Sequence, residues 1–352
     1  MNELALKING RDVSARRGDS ILDAARQNGI YIPTLCWHPR TKQAGKCRIC
    51  VVEVEGLPGL QVSCSLPARD GMVVLTDTEK VIETRKMIVE LYLAGGGHNC
   101  MSCEASGACE LQDAAYHLGI DRPDFPVIAK DIPLDRSSPM IVRDMNKCVR
   151  CFRCVAACSD ITVNEVLDMG YRGSDMTVVC DNDRPMGSSS CVVCGECVQL
   201  CPTGALTEKK AVGLARNWET EKVRTTCPYC GVGCQIHLHV KDNRIIKVTG
   251  VEGTEPNHGS LCVKGRFGYD FVHSPERLAS PLIRKDGELV EASWDEALDL
   301  VAKKFSDIKA AHGPGSIVGI GCARATNEDN YATMKFMRAV IGTNNVDHCA
   351  RT

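Results

Sequence analysis

Two short runs constrain this chain more than anything else in it. CVRCFRCVAAC carries Cys148, Cys151, Cys154 and Cys158, and CVVCGECVQLCP carries Cys191, Cys194, Cys197 and Cys201. Both have the spacing C-x2-C-x2-C-x3-C, in which three cysteines hold one [4Fe-4S] cube and the fourth reaches across to another. Under that rule Cys148, Cys151 and Cys154 pair with Cys201, and Cys191, Cys194 and Cys197 pair with Cys158. A structural zinc site needs only four ligands, commonly in C-x2-4-C pairs, and has no use for two matched runs. Only the second run keeps the trailing proline, Pro202, since Ser159 follows Cys158.

The remaining cysteines fall into three more sets. The chain holds 22 cysteines in 352 residues and opens on MNELALKING, which has no basic stretch followed by an apolar one. Thiols at that density in a chain without an export signal are expected to be metal ligands in a reducing cytosol, not disulfides. Cys36, Cys47, Cys50 and Cys64 suit a [2Fe-2S] centre. The first gap is ten residues where the plant-type spacing has four, which leaves zinc open as an alternative. GHNCMSCEASGACE supplies only Cys100, Cys103 and Cys109, so His98 is the candidate fourth ligand of a [4Fe-4S] cube. An imidazole in place of a thiolate removes negative charge and should raise the potential. CPYCGVGC gives Cys227, Cys230 and Cys234, completed by Cys262, for one more [4Fe-4S], again with zinc as the alternative. Cys180, Cys322 and Cys349 are left without a set.

Around these sets the expected elements are few. Leu4, Leu6 and Ile8 alternate before the turn pair Asn9-Gly10, which predicts a hairpin. A helix is expected from about Ser20 to Gly29, then strands in CVVEVEG and MVVLT. A helical stripe runs through Val81, Ile82, Ile88, Val89 and Tyr92. Past residue 279, Ser293 and Glu296 read as a capping box before an amphipathic helix, SIVGIG as a buried strand, and NEDNYATMKFMRAVIG as a second helix ending at Gly342. Helix, strand and helix in succession open an α/β domain.

A formal charge of −2 with no long basic run excludes a nucleic-acid role on electrostatic grounds. No window approaches the 18 apolar residues of a membrane span, so no membrane insertion is expected. No P-loop occurs, and GIGCAR lacks the third small residue of a dinucleotide fingerprint. Lys264, two residues after Cys262, reads either as a solvated lysine or as a cation beside a cluster.

The order of sites resembles a known family. Residues 1 to about 215 resemble the electron-input module shared by the large iron-sulfur subunit of respiratory complex I, iron-only hydrogenases and NAD(P)-linked formate dehydrogenases. From Cys227 onward the chain is similar to the start of the molybdopterin oxidoreductases, and ARATNEDN and NNVDHCAR to the formate dehydrogenase α subunit. The resemblance implies an α+β multidomain fold. A β-grasp [2Fe-2S] ferredoxin domain occupies 1–78, a helical His/Cys cluster domain 79–138, and a bacterial 2[4Fe-4S] ferredoxin domain 139–215. A small [4Fe-4S] domain at 221–278 leads into the beginning of an α/β molybdopterin-binding domain at 279–352.

It also implies formate oxidation to CO2, or its reverse, at a molybdenum or tungsten bis-molybdopterin guanine dinucleotide site. Lys264 would relay electrons from the pterin, and five iron-sulfur centres would carry them to a flavin and NAD(P)-binding subunit or to a ferredoxin, in the cytoplasm. In that family the metal-ligating selenocysteine or cysteine falls at the position following Thr352. The catalytic residue is therefore expected just past this sequence, which would stop at its own UGA codon. Two other readings stay open: a stand-alone multi-cluster electron carrier and a complex I large iron-sulfur subunit.

Overall fold

The computed structural model describes residues 3–42, 45–128 and 130–350. The chain is mixed α/β and divides into two compact units, residues 1–222 with 239–247, and residues 223–238 with 248–352.

The first unit opens on the hairpin of β1 (Glu3–Ile8) and β2 (Arg11–Arg16), turned by Asn9 and Gly10, both at positive φ. Helix α1 (Ile21–Gln27) follows. Its N-cap Ser20 accepts from the Asp23 amide at 3.1 Å while Asp23 accepts from the Ser20 amide at 3.0 Å, a complete capping box. Strands β3 (Val51–Val54), β4 (Gln61–Val62) and β5 (Val73–Leu75) complete a five-stranded sheet in the order β2-β1-β5-β3-β4, with β1 and β5 parallel. Ile21, Leu22, Ala24 and Ala25 of α1 pack on Leu6, Ile8, Val52 and Val74 of that sheet.

Helix α2 (Glu79–Ala94) buries Val81, Arg85, Val89 and Ala94. The expected aliphatic stripe faces the core, with Val81 and Val89 buried and Ile88 and Tyr92 packed against the same cluster as Val89. Ile82, Ile88 and Tyr92 are only half-buried, and the face is shared by a charged residue, Arg85, whose guanidinium donates to the carbonyls of Thr76 and Val51. Helix α3 (Glu110–His117) packs Leu111, Ala114 and Ala115 into one core with Val89, Cys36, Cys47, Val149 and Cys151.

The segment with the two repeated runs is built around short elements. Strand β6 (Ile141–Arg143), helix α4 (Arg153–Ala156), hairpin β7 (Leu167–Gly170) and β8 (Thr177–Cys180), helix α5 (Glu196–Leu200) and strand β9 (Leu206–Glu208) follow in order. β6 pairs antiparallel with β9, which brings the two ends of the segment together. Strands β10 (Glu221–Thr226), β11 (Gln235–Lys241) and β12 (Arg244–Gly250) form a three-stranded sheet in that order.

In the second unit, helix α6 (Val263–Phe267) starts at Cys262 and is followed by the hairpin of β13 (Leu282–Lys285) and β14 (Glu288–Glu291). Helix α7 (Trp294–His312) begins at Ser293, whose hydroxyl accepts from the Glu296 amide at 3.1 Å. The expected box is only half formed, because the Glu296 carboxylate pairs with Lys285 at 2.9 Å. Of SIVGIG only Gly319–Gly321 is a strand, β15, since its partner β16 (Val346–His348) is equally short. Between them helix α8 (Asn327–Phe336) has a full capping box from Thr326 and Asp329. Thr352, next to which the catalytic metal ligand is expected, lies outside the described residues.

Candidate metal centres

The first set is buried to within 2% exposure at every sulfur-bearing residue: Cys36, Cys47, Cys50 and Cys64. Arg48, at φ 61°, turns the chain between Cys47 and Cys50, and the Cys47 amide points at Cys36 Sγ at 3.5 Å. Hydrogen bonds from Cys47 and Cys64 favour the Cys36 thiolate, and contact with Cys64 does the same for Cys50. Cys47 and Cys64 are held as thiols, each chiefly by its contact with Cys36. Sulfurs in contact from Cys47 through Cys36 and Cys64 to Cys50, two of them favouring the thiolate, are a donor set suited to an iron-sulfur centre or to zinc.

Three further cavities are small and alike, about 20 Å3 each. One is lined by Cys158, Cys191, Cys194 and Cys197, another by Cys148, Cys151, Cys154 and Cys201. In each, the fourth sulfur comes from the other run, the crosswise grouping expected from the spacing. The third is lined by His98, Cys100, Cys103 and Cys109, with Lys147 beside them. Among the described residues no three of His, Cys, Asp and Glu are placed to hold a single metal ion.

The backbone of the two runs is folded alike and against its own preference. Arg150 and Val193 have φ 51° and 55°, and Phe152 and Gly195 have φ 69° and 75°. Positive φ is uncommon for a non-glycine residue and least favourable for a β-branched one such as Val193. The turns aim amide groups at sulfur: Arg150 N to Cys148 Sγ and Val193 N to Cys191 Sγ at 3.4 Å, and Val166 N to Cys158 Sγ at 3.3 Å. Such N–H···S bonds stabilise charge on the sulfur and set the potential of whatever it binds. Burial pushes the thiols up, Cys148 to about 11, Cys109 to about 11, and Cys154 and Cys197 well above the ordinary range. Binding metal there must expel protons.

His98 is half-buried, and burial lowers its pKa, which favours the neutral ring that a metal needs. Its Nε2 lies 3.0 Å from the Tyr92 carbonyl oxygen. A carbonyl only accepts, so Nε2 carries the proton and Nδ1 keeps the lone pair. This is the orienting hydrogen bond usual for a metal-bound imidazole.

In the second unit Cys227 is buried, Cys234 half-buried, and Cys230 and Cys262 exposed. The Cys227 amide donates to the Cys234 carbonyl at 2.8 Å, folding CPYCGVGC back on itself. Gly265 packs against this set, a Cβ there lying 3.4 Å from Cys227 Sγ. Lys264 is exposed at the start of α6. Outside the sets, Cys180 is buried on β8, while Cys322 and Cys349 bring their sulfurs to 3.6 Å of each other.

Sequence reasoning missed the charged side chains beside the sulfurs. Arg153 forms a bidentate pair with Glu110, Glu196 pairs with Arg40, and Lys147 lines the His98 cavity. For Arg153 and Glu196 the signal was available, since they occupy the same position in the two runs.

Comparison with known proteins follows the same order along the chain. Residues 1–79 match the 2Fe-2S iron-sulfur cluster binding domain, and 85–124 the NADH-ubiquinone oxidoreductase-G iron-sulfur binding region. Residues 138–207 match the ferredoxin-like domain of NADH-quinone oxidoreductase subunit 3. Residues 220–274 match the molybdopterin oxidoreductase Fe4S4 domain, and 277–352 the molybdopterin oxidoreductase domain. These are domains of iron-sulfur and molybdopterin oxidoreductases. The chain is 37% identical over 348 residues to the α subunit of a Geobacter sulfurreducens NADPH-Fe(3+) oxidoreductase, covering 99% of this chain and 40% of that one. It is 36% identical to an NADH-quinone oxidoreductase subunit of Rhizobium meliloti, covering 99% and 40%. It is 35% identical to a Bacillus subtilis protein provisionally named a formate dehydrogenase, covering 100% and 40%. The chain thus spans about 40% of the length of these relatives. A solved NAD+-reducing [NiFe]-hydrogenase matches at TM-score 0.57 and 33% identity, over 61% of this chain and 91% of that one. The matched domains are thus of both the [2Fe-2S] and [4Fe-4S] kinds, and no helix among the described residues is long and apolar enough to cross a membrane.

Proposed function

We propose that this chain is the electron-transfer part of a formate dehydrogenase α subunit, holding one [2Fe-2S] and four [4Fe-4S] clusters in the five sets above. Oxidation of formate to CO2 releases two electrons and a proton, and the bound clusters would carry those electrons one at a time to an NAD(P)-reducing partner with flavin, or to a ferredoxin. The chain's own residues set the route: cysteines and His98 fix the stations, and amides aimed at Cys148, Cys158 and Cys191 stabilise added charge. Lys264 is the candidate relay between the Cys227 set and a molybdenum or tungsten pterin.

The observation that carries the formate reading is the pairing of β15 with β16. Parallel register places ARATNEDN, which follows β15, and Cys349 of NNVDHCAR, which follows β16, past the carboxyl ends of two adjacent strands. Open α/β sheets bind their ligands at that end. A complex I-type subunit is the second reading, favoured by the 36% identity to the Rhizobium meliloti NADH-quinone oxidoreductase relative.

The test is formate-dependent dye reduction by the anaerobically purified full-length protein, with its pterin content measured alongside. Turnover with bound pterin supports the formate dehydrogenase. A pterin-free protein inert to formate supports the complex I-type subunit instead.

A further inference from the structure

The two cysteine runs share their spacing and their left-handed turns but differ in side chain at Arg150 and Val193, at Phe152 and Gly195, and, with opposite charge, at Arg153 and Glu196. Cys151, Phe152, Arg153 and Cys154 correspond to Cys194, Gly195, Glu196 and Cys197, and both segments enter a helix through a left-handed residue. The residue just before the third cysteine of each run thus has the same backbone setting. In one it is an arginine with 3% exposure, in the other a glutamate with 1%.

Each buried charge is held by a counter-charge from outside its own run. Arg153 Nη1 and Nη2 donate to Glu110 Oε1 and Oε2 at 2.5 and 2.6 Å, from α3. Glu196 accepts from Arg40, which precedes the second cysteine of the first set. The partners stand further out: the Glu110 side chain is 42% exposed and Arg40 12%. Solvent screens the outer member of each pair more than the inner one. The inner member also stands between two ligand cysteines in the chain, so its charge acts on the sulfurs at the shorter range, positive at one set and negative at the other. Glu196 itself lines the cavity of Cys158, Cys191, Cys194 and Cys197. Arg153 is flanked by Phe152 and Cys154, both of which line the other cavity.

Reduction adds one negative charge to a cube. A fixed cation nearby stabilises the reduced form and raises its potential, and a fixed anion lowers it. We propose that Arg153 and Glu196 split the potentials of two cubes of the same ligand spacing, the one held by Cys148, Cys151, Cys154 and Cys201 lying above the one held by Cys158, Cys191, Cys194 and Cys197. This rests on the reading that both sets hold cubes.

The split has a direction within the first unit. The Cys148 cavity shares Thr203 in its wall with the His98 cavity, and Cys151 lies in one core with Cys36 and Cys47. The higher-potential cube is therefore the one adjoining the His98 and Cys36 centres. An electron arriving on the Cys158 cube runs downhill onto the Cys148 cube, and from there stands beside both candidate exits.

The experiment is an EPR-monitored redox titration of the anaerobically purified full-length protein and three variants, with iron determined on each sample. Glu196→Gln should move one cube to higher potential and Arg153→Gln should move the other to lower potential, each narrowing the gap, with the remaining centres unmoved. The double variant Arg40→Gln with Glu196→Gln, which removes both charges of that pair together, should keep the upward shift. Intact cubes whose potentials stay in place in the double variant, or a gap that widens in any variant, would overturn the proposal. Wild-type protein lacking two ferredoxin-type cube signals at full iron loading would instead unseat the cluster assignment beneath it.

Discussion

Gly204 and Cys103 touch so closely that no side chain fits between them. A Cβ on Gly204 would collide with Cys103 Sγ and with nothing else as closely, the next atoms being at 3.4 and 3.5 Å. Gly204 also lines the cavity of His98, Cys100, Cys103 and Cys109. The sulfur cannot retreat without leaving that cavity, whose other walls are backbone and side chains of the same packed unit. Gly204→Ala should therefore cost the protein the iron of this one centre while leaving the others loaded. Iron analysis and EPR on the variant check it, and full occupancy with an unchanged spectrum would refute it.

His98 offers a test of charge. Replacing the neutral imidazole with a thiolate adds one negative charge to the centre, which disfavours a further electron. His98→Cys is expected to retain the cluster with a lower potential, and His98→Ala to lose or alter its EPR signal. Spectra and potentials unchanged in both variants would return His98 to an ordinary half-buried histidine.

Buried thiols tie the metal-free fold to pH. Burial raises Cys109, Cys148 and Cys180 from the ordinary 9.0 to about 11. A raised folded-state pKa contributes stability that is whole below pH 9 and lost as pH rises through 11. The metal-free chain should thus show a urea midpoint that falls between pH 9 and 11, and Cys180→Ala should flatten part of that fall. A midpoint independent of pH in this window would contradict the burial seen at these thiols.

Ser20 caps α1 from a nearly fully buried position, 4% exposed, with Asp23 completing the box. Loss of such a cap typically costs about 0.5–2 kcal/mol. Ser20→Ala should lower the stability of the first domain by about 1 kcal/mol, read by chemical denaturation, with Ser20→Thr close to wild type.

What the sequence made legible was local. The Asn9-Gly10 turn, the helix start near Ser20 and the stop at Gly342 each follow from a few residues with strong local preferences, and the structure has all three. Cysteine spacing was legible for the same reason, since ligands of one cluster must lie within a few residues or be brought back by a sheet pair such as β6 with β9. Relations between distant residues were not. Arg85, which joins the aliphatic stripe on the buried face of α2, could not be foreseen, because its acceptors, the Thr76 and Val51 carbonyls, belong to other elements. Glu296 left its expected capping role for Lys285, a partner eleven residues back on β13. The pairing of Arg153 with Glu110 and of Glu196 with Arg40 spans 43 and 156 residues, beyond the reach of any periodicity.

The central claim, that five sets hold one [2Fe-2S] and four [4Fe-4S] clusters, is tested most directly by counting metal. After anaerobic reconstitution the account predicts about 18 irons per chain with matching acid-labile sulfide. A chain that takes up zinc in place of iron, or stops several irons short with all its cysteines intact, would contradict it.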